Sequence, residues 1–374
     1  MNPKSVNVLV VAAMLAASPL TAQQEWSFEG DRLLVSNLAG EITVRGHDGS
    51  RIVVRARPGG GDAGLLDYQV KQGGRAEFHV IFPLGESLSY AYPRGGGSTS
   101  TSLRSWRDES PLLEQIYSGL SGRDQIKIGR RGDREAWADL EILVPQNVPV
   151  RVLLAVGEIR ARDLVGGADL DTHSGSITAE NIRGDTRIDT GSGGVSARGI
   201  RGSLLVDTGS GSVDVGEVTG DDVMVDTGSG SVEVSGAESR TLKIDTGSGR
   251  VEVSGARVGS LQIDTGSGSV RALDVEADES IIDTGSGSVT LDVVKLDTGS
   301  HLIDTGSGGV TVRLPADASV TIMADPGSGG VDLDVPNAML RRMSRDKVEL
   351  ELGGGAAHLE IDTGSGSIRI EGRG

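Results

Sequence analysis

The sequence predicts an all-β fold: a parallel β-solenoid (a β-helix) with coils of 18–21 residues, for which a right-handed course is expected. Three observations predict it. The pentapeptide Asp-Thr-Gly-Ser-Gly occurs eight times, starting at Asp189, Asp207, Asp226, Asp245, Asp264, Asp283, Asp304 and Asp362, and the first six steps are 18, 19, 19, 19, 19 and 21 residues. Around each copy, apolar and polar residues alternate with a period of two, as in strands with one buried face. Glycines bracket the corners, and no helical periodicity competes within the repeats.

The repeat from Leu242 to Gly259 shows the elements in order. Leu242, Ile244 and Thr246 alternate with Lys243 and Asp245, which makes a first strand with Thr inward and Asp outward. Gly247-Ser248-Gly249 reads as a turn. Val251 and Val253 alternate with polar residues in a second strand, and Gly255 and Gly259 bracket the next corner. Ile182, Ile200 and Val218, spaced 18 apart, point to a short third side. Val and Ile dominate the inward positions, where branched side chains suit a pleated surface. No strand can bury its face alone, so coils must stack about 4.8 Å apart, like over like. The corner glycines are expected to serve positive φ. Inward threonines are expected to stack as a hydroxyl ladder.

Two variants, at Asp171 and Asp325, keep the phase, and the 37 residues from Asp325 to Asp362 approximate two periods. Residues 1–22 read as a signal peptide, with Lys4 before an apolar run. Residues 23–83 read as degenerate coils of the same solenoid, 84–135 as a flexible insertion with a short helix over Pro111 to Leu120, and 136–374 as the regular solenoid. A short amphipathic helix is expected within 336–347, where Met339, Leu340 and Met343 cluster.

Composition narrows the functional classes. There is no Cys, hence no disulfide framework and no thiolate metal site. Aromatics are 3% of residues, which suits a thin core. A formal net charge of −17 argues against nucleic acid as a partner, because phosphate binding needs a basic excess. No transmembrane helix is expected after the leader, so the chain reads as exported.

The Asp-Thr-Gly-Ser core invites comparison with a pepsin-like active-site loop, but that chemistry needs two converging carboxylates that share one proton. Copies one coil apart cannot converge. The local reading places each Asp in an Asx-turn. The alternative is a Ca²⁺ site along the repeats, with Asp189, Asp207, Asp226, Asp245, Asp264, Asp283 and Asp304 as metal ligands. No other cofactor is expected, and no catalytic residue stands out. The five His residues are scattered at 47, 79, 173, 301 and 358. A polysaccharide lyase or hydrolase would need clustered charge off the repeat consensus.

Three segments carry a family resemblance: Val35-Ser36-Asn37-Leu38-Ala39-Gly40-Glu41-Ile42-Thr43-Val44; Leu140-Glu141-Ile142-Leu143-Val144-Pro145 followed by Gly157-Glu158-Ile159; and the strand-Gly-Ser-Gly-strand coils. Together they resemble the bacterial "putative adhesin" domain of unknown function, a β-strand repeat family of exported or envelope proteins. The resemblance spans residues 30–372 outside the insertion. It implies an adhesin or cell-envelope protein that is periplasmic, surface-bound or secreted; the repeated acidic face itself points to a non-enzymatic scaffold that binds a glycan, cell-surface or envelope partner through many weak contacts, with a carbohydrate-active β-helix enzyme as the alternative. The resemblance supplies no catalytic residues. The near-perfect repeats and the long insertion depart from the family's looser pattern.

Overall fold

A computed structural model describes residues 23–373 apart from Gly96, Gly122, Asn337, Arg345 and Asp346. The expected signal peptide lies outside the described residues. The chain divides into two compact units, Met1–Ser192 and Gly193–Gly374.

The first unit contains β1 (Gln24–Phe28), β2 (Arg32–Ala39), β3 (Ile42–His47), β4 (Ile52–Gly59), β5 (Asp67–Lys71), β6 (Arg75–Ile81), β7 (Ser89–Ala91), β8 (Thr99–Thr101), α1 (Arg104–Arg107), α2 (Pro111–Ile116), β9 (Ile126–Gly129), β10 (Arg134–Glu135), β11 (Trp137–Pro145), β12 (Val150–Val156), β13 (Ile159–Arg162), β14 (Ala168–Ser174), β15 (Ile177–Glu180) and β16 (Thr186–Thr190). Two parallel stacks run through it. β2 lies between β6 and β12, with Val35 opposite Phe78 and Val152. β3 lies between β11 and β13, with Ile42 opposite Leu140 and Ile159. β14 and β16 extend one stack and β15 the other.

Residues 23–83 are not simply degenerate parallel coils. β1 and β11 both run antiparallel to β4, and β5 runs antiparallel to β6. Hairpins at this end give strand edges a partner where no further coil follows. Residues 84–135, expected to be flexible, hold their own structure. β7 pairs in parallel with β9 and β10, and β8 runs antiparallel to β9. Tyr90, Tyr92, Trp106, Leu113 and Tyr117 are buried. The predicted helix forms as α2, with Pro111 in its first turn and Ser110 as N-cap accepting the Leu113 N–H at 3.1 Å.

The second unit contains β17 (Val195–Arg198), β18 (Leu204–Thr208), β19 (Val213–Thr227), β20 (Val232–Thr246), β21 (Val251–Ser254), β22 (Arg257–Thr265), β23 (Val270–Thr284), β24 (Val289–Val293), β25 (Ser300–Thr305), β26 (Val310–Leu314), β27 (Val320–Asp325), β28 (Val331–Asp334), β29 (Met339–Met343), β30 (Val348–Leu352), β31 (Ala357–Thr363) and β32 (Ile368–Gly372). Successive coils pair in parallel and in register, so Val206, Val225, Ile244, Ile263, Ile282 and Ile303 form one buried column. Ile200 and Val218, read as a third inward side, are fully buried.

The order of stacking changes near the end. β31 pairs with β25 on one side and β27 on the other, and β32 likewise lies between β26 and β28. The last coil is therefore inserted one step early, and Asp362 rather than Asp325 follows Asp304. The 37-residue spacing records this detour, not two successive floors. The helix expected within 336–347 is instead strand β29, antiparallel to β30, which is in turn antiparallel to β27. All five β29 residues are exposed.

Two local devices hold the turns. Thr246 Oγ1 donates to the Gly230 carbonyl of the preceding coil (3.2 Å) and accepts the Gly249 N–H (3.1 Å). Thr265, Thr284, Thr305 and Thr363 do the same with their own glycines. The inward threonines thus bond to backbone rather than forming a hydroxyl ladder. From Gly211 onward the second motif glycine is required by crowding, not by positive φ, which only Gly193 among these copies adopts (152°). A Cβ on Gly268 would lie 1.7 Å from the Gly249 carbonyl oxygen, and one on Gly249 would lie 1.6 Å from that of Gly230. Gly268→Ala is expected to cost more than about 3 kcal/mol in urea unfolding, because backbone stacked on backbone cannot give way. Gly330→Ala, where a Cβ would meet nothing within 4 Å, should change stability by less than about 0.5 kcal/mol.

Candidate functional site

The motif aspartates of the second unit lie in one file. Cross-strand register pairs Asp207 with Asp226, Asp226 with Asp245, Asp245 with Asp264, Asp264 with Asp283 and Asp283 with Asp304. Asp362 then pairs with Asp304 and with Asp325. In the first unit Asp189 pairs with Asp171, and Arg187 reaches Asp189 at 3.2 Å. The parallel file cannot form the facing pair that pepsin-like chemistry requires. Among the described residues, no three His, Asp or Glu side chains converge as a metal site. The Asx-turn expected of each Asp is seen at Asp325, which accepts the Gly327 N–H at 3.1 Å. In the copies at Asp245, Asp264, Asp283, Asp304 and Asp362 the threonine closes the turn.

Neighbouring charges at strand spacing repel by about 0.9 kcal/mol in water and about 3.5 kcal/mol at an effective dielectric near 20. Mostly exposed carboxylates sit toward the lower figure. The strain is still visible in their acidity. Burial, then the flanking Asp264 and Asp304, raise the Asp283 carboxyl above its ordinary range. Asp226 is raised by burial, then by Asp245 and Asp207. Asp171 is pushed up to about 6 by burial first and by Asp189 second, with Arg151 opposing. A raised carboxyl binds its proton more tightly when folded. Its stabilisation is complete below the ordinary 3.8 and is lost as pH rises through the folded value, about 6 for Asp171. Asp171→Asn and Asp283→Asn should therefore each raise the melting temperature relative to the parent at pH 7.5. The advantage should vanish near pH 3.5 in the same scans.

A second polar constellation, in the first unit, escaped the sequence reading. Ser36, Glu77 and His79 are fully buried. Ser36 Oγ lies 2.8 Å from His79 Nδ1, and His79 Nε2 lies 3.1 Å from Glu77 Oε2. Ser110 Oγ, at the start of α2, donates to Glu77 Oε2 at 2.6 Å, and Lys71 Nζ donates to Oε1 at 2.6 Å. Glu77 and His79 alternate with core-facing Ala76, Phe78 and Val80, so they occupy the outer face of β6. Their burial comes from the covering 84–135 segment. That cover could have been suspected: all ten aromatic residues fall between Trp26 and Trp137, four of them in 84–135.

The Ser–His–Glu chain resembles a hydrolytic triad in outline only. Ser36 is sealed from solvent, within a strand paired on both sides. Its role is to pin the cover to the sheet. Burial works to raise the Glu77 carboxyl, but hydrogen bonds from His79, Lys71 and Ser110 outweigh it and bring it down to about 2. Burial lowers the His79 pKa against the pull of Glu77, which favours the neutral ring. Glu77's contribution is complete above its ordinary 4.5 and is lost as pH falls toward 2; His79's is complete above 6.5 and is lost below it. Acid therefore loosens the cover from both groups. Glu77→Gln should cost about 2 kcal/mol at pH 7, and much less at pH 3, as read by tryptophan fluorescence in urea.

No curated protein matches the chain. Among solved structures, a "putative cell adhesion protein" from Clostridium sporogenes is similar at 10% identity, covering 94% of this chain and 100% of that one, with a TM-score of 0.21. A "putative adhesin" from Bacteroides fragilis is similar at 11% identity, covering 93% and 96%, with a TM-score of 0.26. Scores this low carry no functional weight. The family match is more specific: residues 201–371 match the Toastrack DUF4097 family model, in line with the resemblance read from the repeats.

Proposed function

We propose that this protein is an exported, non-enzymatic scaffold that presents a repeated acidic face to a glycan or another cell-surface or envelope component. The registered file of Asp207, Asp226, Asp245, Asp264, Asp283 and Asp304 carries this reading. A carboxylate accepts hydrogen bonds from sugar hydroxyls, and exposed serines such as Ser248 and Ser267 stand in the adjoining turns. One such contact is weak. A rigid array spaced at one strand interval engages a repetitive partner through many contacts at once, and avidity multiplies them. No helix among the described residues is long and apolar enough to cross a membrane. The Toastrack match over residues 201–371 is compatible with this reading.

Immobilised full-length protein should retain bacterial envelope fractions or surface glycans. Replacing Asp226, Asp245, Asp264 and Asp283 together by Asn should weaken retention at least tenfold while leaving the protein folded. Absence of retention, or undiminished retention by that variant, rejects the acidic face as the contact surface. Repeating the assay and the thermal melt with added Ca²⁺ tests whether the ion bridges the face to its partner; an unchanged melting temperature and unchanged retention exclude that role.

A further inference from the structure

We propose that Arg45 and Arg162 form a binding site for a tetrahedral oxyanion, a phosphate or sulfate group, on the outer face of the first unit. Arg45 lies on β3 and Arg162 on β13, and the two are direct cross-strand partners. Their Cα positions are thus about one strand spacing apart, near 4.8 Å. Both Nε atoms are buried, and neither has a hydrogen-bond partner. Two unpartnered cations side by side are an unusual arrangement, because buried donors are ordinarily satisfied and like charges in register repel.

The surrounding arginines sharpen the contrast. Arg55 binds Glu25 at 2.7 Å and Glu141 at 3.4 Å. Arg94 binds Glu41 at 2.8 Å and Asp139 at 2.6 Å, with its guanidinium over the rings of Tyr92 and Trp137. Arg160 binds Glu158 and also reaches Glu41 at 3.5 Å. Arg55, Arg94 and Arg160 are thus each held by carboxylates, whereas among the described residues neither Arg45 nor Arg162 forms an ion pair. Leu143 flanks Arg45 across β11, and Glu180 is the register neighbour of Arg162 on β15 without an ion pair to it. An open cavity of about 400 Å³ lies against Arg45; Arg55, Arg57 and Arg94 line it together with the carboxylates Glu41, Asp139 and Glu141, and Arg162 stands outside its lining.

The donor count selects the ligand. One carboxylate offers two oxygens and satisfies a single guanidinium fork. Two adjacent forks call for three or four acceptors on one centre, the geometry of a phosphate or sulfate group. The ligand is accordingly the free ion or an ester of it on a larger molecule. This site lies in the other unit from the acidic file and does not depend on it, so the two can fail separately.

Calorimetric titration of the full chain at fixed ionic strength in chloride should show saturable binding of inorganic phosphate or sulfate. Acetate should bind at least tenfold more weakly. Arg45→Gln and Arg162→Gln should each raise Kd at least tenfold, and Arg45→Lys should do nearly the same, because it keeps the charge but loses the fork. Dextran sulfate and inorganic sulfate distinguish the sources: tighter binding of the polymer per sulfate points to an ester ligand, equal binding to the free ion. A measurement without variants runs alongside. Phenylglyoxal should modify Arg45 and Arg162 in the parent protein, and phosphate or sulfate should slow that reaction several-fold where equal chloride does not. No saturable binding, equal affinity in Arg45→Lys, or no anion protection from phenylglyoxal overturns the proposal.

Discussion

Backbone stacked on backbone at the turns is the constraint on which the second unit rests. The second motif glycine of one coil sits so close over that of the coil before that no side chain fits between them, from Gly230 over Gly211 through Gly308 over Gly287. This contact fixes the vertical register, because slipping by one residue would drive a serine side chain against a carbonyl. It also positions the threonine hydroxyl, which ties each turn to the glycine carbonyl of the coil before it. Once the turns are registered, the Val/Ile column follows without further specification. Burial then supplies most of the favourable energy, while glycine and threonine supply the uniqueness.

Stacked coils create a problem at their ends, and each unit treats it differently. In the first unit, β1, β4 and β5 run antiparallel to their neighbours, and the 84–135 segment covers the outer face of β6. That cover turns outward positions into interior ones, so Glu77 and His79 need partners that no other coil provides. In the second unit, β31 and β32 insert between two coils already laid down, and the β29–β30 hairpin extends β27. A strand inserted between two others has both edges paired. The exposed edge is moved onto the short β29, where Arg341 and Arg342 stand among Met339, Leu340 and Met343. Charged residues on an edge strand are a recognised guard against unwanted pairing.

What was legible in the sequence follows from which signals are periodic. The coil, its buried column, the inward Thr and the outward Asp were all readable, because each recurs once per period. Positive φ holds at corner glycines such as Gly199, Gly236 and Gly255, but the second motif glycine answers to close approach; periodicity reveals that a small residue is needed, not which contact needs it. The inserted coil was not readable, since the Asp362 copy keeps the motif while changing its stacking partner. The helix expected near Met339 failed because apolar residues four apart also fit a strand exposed on both faces. Ser36, Glu77 and Ser110 were missed because their association depends on a nonrepetitive cover. The aromatics were weighed only as a total, so their confinement to the stretch from Trp26 to Trp137 went unused.

Repetition also sets the charges of the solenoid in rows. Stacking like over like turns any outward ionisable position into a row of equal charges unless the sequence alternates them. The second unit does alternate at one row: Arg257 stands between Glu238 and Glu276, at 3.7 and 3.9 Å. Another row passes from Glu233 and Glu252 to Arg271 and then Thr290. Neutralising substitutions are therefore compatible with this fold at outward positions. The aspartate row admits none across Asp207 to Asp304, nor at Asp362 and Asp325. Turn closure does not account for that uniformity, because the threonine already closes the turn in the regular copies. Within the chain, Lys347 relieves the row at Asp325, at 3.1 Å, while the row from Asp207 to Asp304 keeps its repulsion where neighbouring rows relieve theirs.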